Sequence, residues 1–234
     1  MPMEILGNEF DIMELIKEAE KGDSSAVEAL TMARALSDEL SSNADFEKLL
    51  HKYYKRMAAR GDGNALLYIA QDYERGKTVP QNIHKAIEYC ELAVGRGKRT
   101  GYEFIAEMYM NGKSLPVNYK KAYKYLMKSL YFKGERGSLT SDIGYYLLAE
   151  LYFFGLYVNK DLELAKEYYS EVVAMGFDYG ESYYWCSNYR IGQIYEQLGD
   201  DVNAEKYKNR GMEFYNWEDD LDSVAIEDLL TRYP

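Results

Sequence analysis

The sequence predicts an all-α protein, a solenoid of about 10–12 helices packed as antiparallel hairpins. Three observations lead to this prediction. A set of small, aromatic, glycine and capping residues recurs at a nearly fixed spacing. Within each copy, the order of these residues is that of a helix, a turn and a second helix. The composition agrees, because Tyr is abundant (25) and Pro is rare (4).

The first clear copy of the repeat lies between Ala65 and Gly97. Its six marker residues return 36 residues later and again 43 residues after that, and a looser fourth copy follows. The four sets are Ala70, Tyr73, Gly76, Asn82, Ala86 and Tyr89; Ala106, Tyr109, Gly112, Asn118, Ala122 and Tyr125; Ala149, Tyr152, Gly155, Asp161, Ala165 and Tyr168; and Gly192, Tyr195, Gly199, Asp200, Ala204 and Tyr207.

Each marker has a physical role in a helical hairpin. The small residue on either helix lets the neighbouring helix approach closely, and the Tyr three residues later lies on the same face. The glycine is placed where the first helix must end in a left-handed residue. The Asn or Asp stands four residues before the second Ala, where its side chain can cap free backbone N–H groups.

This pattern resembles the Sel-one-like repeat, a relative of the tetratricopeptide repeat. The motif A-x-x-x-[LI]-[GA]-x-x-Y-x-x-G, followed by [ND]-x-x-x-A-x-x-Y, matches at 63–97, 99–134 and 142–176, and in part at 182–214. The resemblance implies a right-handed superhelical adaptor that binds a protein or peptide. Some secreted members carry a disulfide in each repeat, whereas this chain has only Cys90 and Cys186.

The segments around these repeats are expected to complete one domain spanning 1–234. We interpret 9–61 as an N-terminal cap with a degenerate repeat, in which Asp11 caps the first helix and Phe46–Arg60 is amphipathic. Residues 217–234 are interpreted as a capping helix with an acidic first turn. The insertions 135–141 and 178–185 are alternative binding elements, because insertions in solenoids often lie on the binding face.

Several function classes find no support in the residues. No apolar run reaches the length of a membrane span, and no signal peptide is evident at the start. Two unpatterned cysteines favour the cytoplasm. His51 and His84 are expected on helix surfaces without paired ligands, and Cys90 in the core. We therefore predict no metal site, no cofactor and no catalytic residues, so that the protein is not an enzyme.

The charge is distributed unevenly along the chain. Residues 1–50 carry a net charge of −8, residues 51–139 carry +9, and residues 140–234 carry −12. Such a field would orient a partner, and the acidic ends would suit one with a basic surface. A regulator, or an inhibitor or immunity protein, is one use of such a scaffold. Unevenness of this size can also arise on helix surfaces without any role in binding.

The inner face of the first helices is the predicted binding groove. Next to the small marker of each first helix, a polar residue recurs along this face, and aromatic residues lie beside it. Such a surface can select a peptide or protein. The candidate groove residues are Tyr68, Gln71, Phe104, Glu107, Tyr146, Glu150, Tyr189, Arg190 and Gln193. For the aromatic and apolar members, burial against the next repeat is an equally good interpretation.

Two alternatives to a protein partner remain at this stage. The middle segment interleaves Lys120, Lys121, Lys124 and Lys128 with tyrosines, as single-strand nucleic-acid sites do. The acidic ends and a sequence pI near 4.8 oppose it. An enzyme of hydrolase type with an unrecognised site is the other alternative. The Gly76-Lys77-Thr78 turn is not a phosphate loop, because Gln71 occupies the position of the required earlier glycine.

Overall fold

The computed structural model describes residues 9–35, 40, 42–132, 142–176, 181–212 and 231. Within those ranges the secondary structure is helical, and none of the residues they contain lies in a β-strand. The chain divides into two compact units, 1–101 and 102–234. The all-α character expected from the repeat is therefore observed over the described residues.

Five helices are described in the first unit, and they pack in chain order. Their bounds are α1 (Glu9–Lys21), α2 (Ser24–Ala35), α3 (Ala44–Ala59), α4 (Gly63–Arg75) and α5 (Ile83–Gly95). Each of these helices contacts the next one along the chain. The core of this unit centres on Leu30, Leu50, Tyr53 and Tyr54, all of which are fully buried. Helices α2 and α3, which lie in the segment interpreted as a cap with a degenerate repeat, pack against each other.

The second unit continues the same architecture. Its helices are α6 (Thr100–Asn111), α7 (Tyr119–Leu130), α8 (Asp142–Phe154), α9 (Leu162–Met175), α10 (Glu181–Gln197) and α11 (Asp201–Met212). With α1–α5 they make eleven helices among the described residues. The core lies where α8, α9 and α10 meet, and Tyr146, Leu147, Leu148 and Tyr169 are among its largest fully buried side chains.

The turn that closes each repeat hairpin has the geometry that the markers predict. The glycines after the first helices have left-handed backbone, with φ of 72° at Gly76, 66° at Gly112, 71° at Gly155 and 77° at Gly199. The capping side chains accept from the backbone N–H three residues later at 3.0–3.1 Å, in Asn82, Asn118, Asp161 and Asp200. Both predicted roles are confirmed in all four copies.

A second bond recurs in these turns. The backbone N–H of each capping residue donates to the carbonyl oxygen of the marker Tyr on the first helix, at 2.8–3.0 Å. The pairs are Asn82 to Tyr73, Asn118 to Tyr109, Asp161 to Tyr152 and Asp200 to Tyr195. The capping residue therefore joins the two helices, because its side chain starts one helix while its backbone satisfies the end of the other.

Removing one of these caps should have a measurable cost. We expect Asn118→Ala to lower the free energy of unfolding by about 1 kcal/mol, because the N–H of Lys121 loses its acceptor. The matched control is Asn159→Ala, an exposed asparagine outside any cap, which should change it by less than about 0.5 kcal/mol. Urea unfolding followed by circular dichroism measures both. Equal effects of the two variants would contradict the capping role.

The paired tyrosines form a regular contact between the two helices of a hairpin. Ring centroids lie 5.6 Å apart for Tyr73 and Tyr89, and 6.2 Å for Tyr109 and Tyr125. The other two hairpins have the same contact, at 5.9 Å for Tyr152 with Tyr168 and 5.5 Å for Tyr195 with Tyr207. The small markers beside them are buried. Large and small residues therefore interlock as predicted.

Close helix approach is clearest at Gly192 on α10. A Cβ atom added there would lie 2.7 Å from the backbone nitrogen of Lys208 and 2.9 Å from the carbonyl oxygen of Ala204. These are backbone atoms of α11 and cannot move independently. The fourth copy therefore needs glycine where the other three have alanine.

Some details differ from the sequence predictions. Helix α1 begins at Glu9, so Asp11 lies in its first turn and not at the cap. Residues 181–185 of the predicted insertion 178–185 form an extra turn at the start of α10. Tyr184 and Trp185 of this turn are buried in the core. The insertion 135–141, residues 178–180 and most of the helix predicted at 217–234 lie outside the described residues. The single-domain assignment stays a prediction.

Candidate binding site

The first unit contains a pocket of about 380 Å³ between α2, α3 and α4 and the turn after Gly76. Every residue that lines it carries a polar or charged group: Thr31, Arg34, Glu47, Tyr68, Gln71, Asp72, Arg75, Lys77 and Thr78. Two of these, Tyr68 and Gln71, belong to the predicted groove. A concave site with convergent polar groups of this size is a candidate ligand site.

An ion pair forms one wall of the pocket. Arg34 Nη1 of α2 lies 3.2 Å from Glu47 Oε2 of α3, and both side chains are only 11% exposed. The Thr78 hydroxyl donates to the same Glu47 oxygen at 3.4 Å. Since burial strengthens such a pair and its partners are fixed, this wall is a rigid surface with its charges already compensated.

Asp72, which also lines the pocket, belongs to a buried histidine–aspartate pair. His51 Nδ1 of α3 donates to Asp72 Oδ2 of α4 at 2.6 Å, and both side chains are buried. The expectation that His51 lies unpaired on a helix surface is therefore wrong. His51 follows Leu50 on the face of α3 that packs against α4, so the same packing buries it and brings Asp72 to it. His84 is exposed, as predicted.

Tyr54 of α3 contacts two of the residues that line the pocket. Tyr54 and Tyr68 have ring centroids 4.8 Å apart, and the hydroxyl groups of Tyr54 and Thr31 are hydrogen-bonded at 2.8 Å. Burial raises the pKa of Tyr54 to about 12, so this phenol is neutral at physiological pH. These contacts link α2, α3 and α4 next to the pocket.

At the mouth of the pocket, several polar side chains form no hydrogen bond or ion pair with the described residues. Among the described residues, Gln71, Arg75 and Lys77 form no hydrogen bond or ion pair, and the Tyr68 hydroxyl has no partner either. Arg75 and Lys77 are exposed, while Tyr68 and Gln71 are half-buried. Arg75 and Lys77 were not predicted as site residues from the sequence. Their signal was their position on either side of Gly76, since Arg75 is the last residue of α4 and Lys77 lies in the turn that follows.

The second unit gathers other predicted groove residues into its interior. Glu150 on α8 is 0% exposed, and Arg190 on α10 is 4% exposed. Arg190 Nε donates to Glu150 Oε1 at 2.9 Å, and the Tyr169 hydroxyl donates to the same oxygen at 2.6 Å. A further Arg190 nitrogen donates to Gln193 at 2.9 Å. These residues therefore form one buried ionic network.

The charge state of this network follows from its surroundings. Burial disfavours the charged form of Arg190, but the adjacent Glu150 carboxylate more than offsets this, so the pKa of Arg190 is raised. The guanidinium also lies over the rings of Phe153 and Phe154, with its central carbon 5.2 Å and 4.9 Å from their centroids. Arg190 is therefore held as a cation between a carboxylate and two aromatic rings.

The structure thus separates the nine predicted groove residues into two groups. Tyr68, Gln71, Phe104, Glu107, Tyr189 and Gln193 are half-buried and keep part of their side chains accessible. Tyr146, Glu150 and Arg190 are buried and contact other parts of the second unit. Direct contact with a partner is possible for the first group only. The assignment of a groove to these positions stays a prediction.

The described residues show neither a metal-binding cluster nor a membrane-spanning helix. They contain no cluster of three or more His, Cys, Asp or Glu side chains that could hold a metal ion. Within the same ranges, no helix combines the length and the apolar character needed to cross a bilayer. The cysteines are both buried and reduced, and burial raises the pKa of the Cys90 thiol to about 12, as expected for a core cysteine.

Comparison with known proteins identifies the class to which this helical-hairpin architecture belongs. The Sel1 repeat family matches at residues 63–97, 101–129 and 142–176. The alignment with a Sel1 repeat protein from Oxalobacter formigenes has a TM-score of 0.61 at 18% identity and covers 93% of this chain. This chain spans 58% of the length of that protein. No curated protein gives a significant match.

A second solved structure also aligns with most of this chain. It is described as a sel1 repeat protein from Klebsiella pneumoniae subsp. pneumoniae, with a TM-score of 0.49 and 20% identity over 92% of this chain and 97% of that one. The chain carries Sel1 repeats at the three matched segments, and the predicted Sel-one-like repeat and its all-α fold class are confirmed. Sel1 repeats generally serve as scaffolds for protein–protein interaction and are typically non-enzymatic.

Proposed function

We propose that this protein is an interaction module that binds a protein or peptide through the pocket of its first unit. The observation that carries the proposal is the arrangement of that pocket. Its walls are fixed by the Arg34–Glu47 and His51–Asp72 pairs, while Tyr68 and Gln71 at its mouth are uncommitted. Fixed walls with available hydrogen-bonding groups are what a preformed recognition site needs.

The chemistry of the pocket favours a peptide over other ligands. A glutamine side chain offers both a donor and an acceptor, as a peptide backbone does, and the Tyr68 ring supplies apolar area. The remaining half-buried groove residues, such as Glu107 and Tyr189, are further candidates for partner contact. Where the partner meets the acidic ends of the chain, we expect its surface to be basic. A regulatory or inhibitory role in the cytoplasm is part of this proposal.

Nucleic-acid binding is less well supported. In α7 the lysines lie against tyrosines of their own unit, since Lys121 Nζ is 4.9 Å from the Tyr109 ring centroid and Lys128 Nζ is 4.9 Å from that of Tyr125. Tyr125 is also stacked on Tyr109. These rings pack against each other and against lysines of their own hairpin. Single-strand binding instead needs exposed rings on which bases can stack.

A hydrolytic function is also less well supported. His51 with Asp72 has the geometry of a catalytic base with an orienting carboxylate. However, His51 Nε2 is buried and forms no hydrogen bond with any described residue, so no hydroxyl or thiol is placed for activation by it. We therefore assign this pair a structural role, which is to join α3 to α4.

The proposal can be tested with a partner isolated from the native source. The tagged protein is used to capture partners, which are identified by mass spectrometry, purified and measured by titration calorimetry. We expect Gln71→Ala to weaken binding of the purified partner about tenfold, because a half-buried side chain at the pocket mouth loses its contacts. Glu88→Ala, on the exposed face of α5, is the control and should change the affinity less than twofold.

Thermal melts must show that both variants are folded. A purified partner that binds Gln71→Ala as tightly as the wild type would contradict the assignment of binding to this pocket. If no captured protein binds again after purification, the interaction function itself would be contradicted.

A further inference from the structure

We infer that the pocket of the first unit recognises a carboxylate of an acidic peptide segment. This inference rests on the proposed function and specifies the chemistry of the partner. It follows from the charges that line the pocket, from which of them are already compensated, and from the groups at its mouth.

The charges of the pocket leave a positive excess. Arg34 and Glu47 neutralise each other at 3.2 Å. Asp72 is bound to His51, so that this pair contributes either one negative charge or none. Arg75 and Lys77 form no ion pair with any described residue. The pocket is therefore net positive in either protonation state of His51, and an anionic group entering it gains two unpaired cations.

A carboxylate fits this excess better than a phosphate does. Arg75 provides a planar guanidinium that can bind a carboxylate with two parallel hydrogen bonds, and Lys77 adds a mobile charge beside it. The lining also contains the carboxyl groups of Glu47 and Asp72, which would repel a dianion more strongly than a monoanion. A single negative charge of modest size is the best match.

A peptide fits better than a nucleic acid. The volume of about 380 Å³ is near the lower end for ligand pockets and admits a short segment of chain. A nucleic acid presents a long run of phosphates, whereas the uncompensated positive charge of the pocket is confined to Arg75 and Lys77. An acidic peptide needs only one or two charges at the pocket, while Gln71 and Tyr68 bind its backbone and apolar atoms.

The experiment uses the full chain and short synthetic probes of defined charge. Acetyl-tetraglutamate amide is titrated into isotopically labelled protein, and the NMR signals of the Arg75 and Gln71 side chains are followed. We expect saturable shifts with this probe and none with acetyl-tetraglutamine amide. Acetyl-tetraglutamine with a free C-terminus distinguishes a terminal carboxylate from a side-chain carboxylate as the recognised group.

Two double variants of equal net charge localise the effect. Arg75→Gln with Lys77→Gln should weaken tetraglutamate binding at least tenfold. Lys52→Gln with Lys55→Gln removes the same charge from the exposed face of α3 and should change the affinity less than twofold. Raising the salt concentration should weaken the wild type more than the pocket variant, because the wild type has the stronger charge attraction.

Several outcomes would overturn the inference. Equal binding of tetraglutamate and tetraglutamine, or equal losses in the two double variants, would show that the pocket does not select a carboxylate. Tighter binding of inorganic phosphate or of oligothymidylate at the same residues would assign the site to phosphates. If Gln71→Ala weakens binding of the captured partner but tetraglutamate does not bind, only the carboxylate inference fails. If tetraglutamate binds but Gln71→Ala leaves the affinity of the partner unchanged, the proposed function fails.

Discussion

Replacing Glu150 by Gln is expected to lower the free energy of unfolding by about 3–5 kcal/mol, because it leaves the buried Arg190 cation without its counter-charge. Arg190→Gln should cost a similar amount for the converse reason. The size of the effect comes from burial, since water cannot solvate the remaining charge where both side chains are at most 4% exposed.

The same type of contact at the surface provides the control. Glu196 lies 2.7 Å from Lys208 in the same unit, but its side chain is 59% exposed. Glu196→Gln should cost less than about 1 kcal/mol, because an exposed pair exchanges its attraction for hydration. Urea unfolding of all three variants by circular dichroism gives the comparison. Glu150→Gln costing no more than Glu196→Gln would contradict a buried ionic network.

The double replacement separates charge burial from packing. If Glu150 and Arg190 are both changed to Met, no ion remains in the core, and the loss should be clearly smaller than the sum of the two single losses. Part of the loss should persist, because the Tyr169 hydroxyl then lacks its acceptor. An additive result would show that the two residues do not interact in solution.

Two tyrosine-to-phenylalanine changes in the same core should have opposite signs. Tyr169→Phe should destabilise the protein by about 1–3 kcal/mol, because Glu150 loses a hydrogen bond made at 2.6 Å. Tyr146→Phe should stabilise it by about 1 kcal/mol. The Tyr146 hydroxyl is buried and forms no hydrogen bond with any described residue, so its removal relieves an unsatisfied polar group.

These two variants are matched controls for each other. Both rings are fully buried, their centroids are 5.8 Å apart, and each change removes one oxygen atom. Burial raises the pKa of both phenols, so both are neutral in the folded protein over the physiological range. Thermal and urea unfolding measure the two differences. Destabilisation of equal size by both changes would show that Tyr146 has a hydrogen-bond partner in solution.

The repeat and its turns could be predicted because their causes are local. A glycine with φ of 72° ends α4, and Asn82 accepts from the N–H of Lys85 only three residues away. Such contacts depend on residues close together in the chain, so their spacing is visible in the sequence. Since the pattern is repeated four times, each copy also supports the interpretation of the others.

The candidate site was predictable only in part. Tyr68 and Gln71 were selected from their register, and they do line the pocket. Arg34 and Glu47 were not, because they lie in the degenerate repeat, where the markers that define the register are missing. Their pairing across α2 and α3 depends on how two helices pack, and a repeat pattern carries no information on that contact.

The buried network shows how one register can have different environments. Glu150 occupies the same repeat position as Gln71 and Glu107, which are half-buried, yet it is wholly enclosed. The reason is Arg190, which stands where the earlier copies have Tyr68, Phe104 and Leu147 and forms a salt bridge to the carboxylate of Glu150. A charged residue at a position that is otherwise apolar was the signal in the sequence for a buried ion pair.

The sequence by itself determined the Sel1 repeats and, within the repeat hairpins, the glycine turns, the caps and the interlocking of small residues with tyrosines. All of these follow from interactions within one hairpin. Only the tertiary structure decided which polar side chains are buried together, as in His51 with Asp72 and Glu150 with Arg190, and where a pocket remains open. Those pairs are separated by 21 and 40 residues, so their contact depends on the packing of successive helices, which the local spacing of residues does not encode.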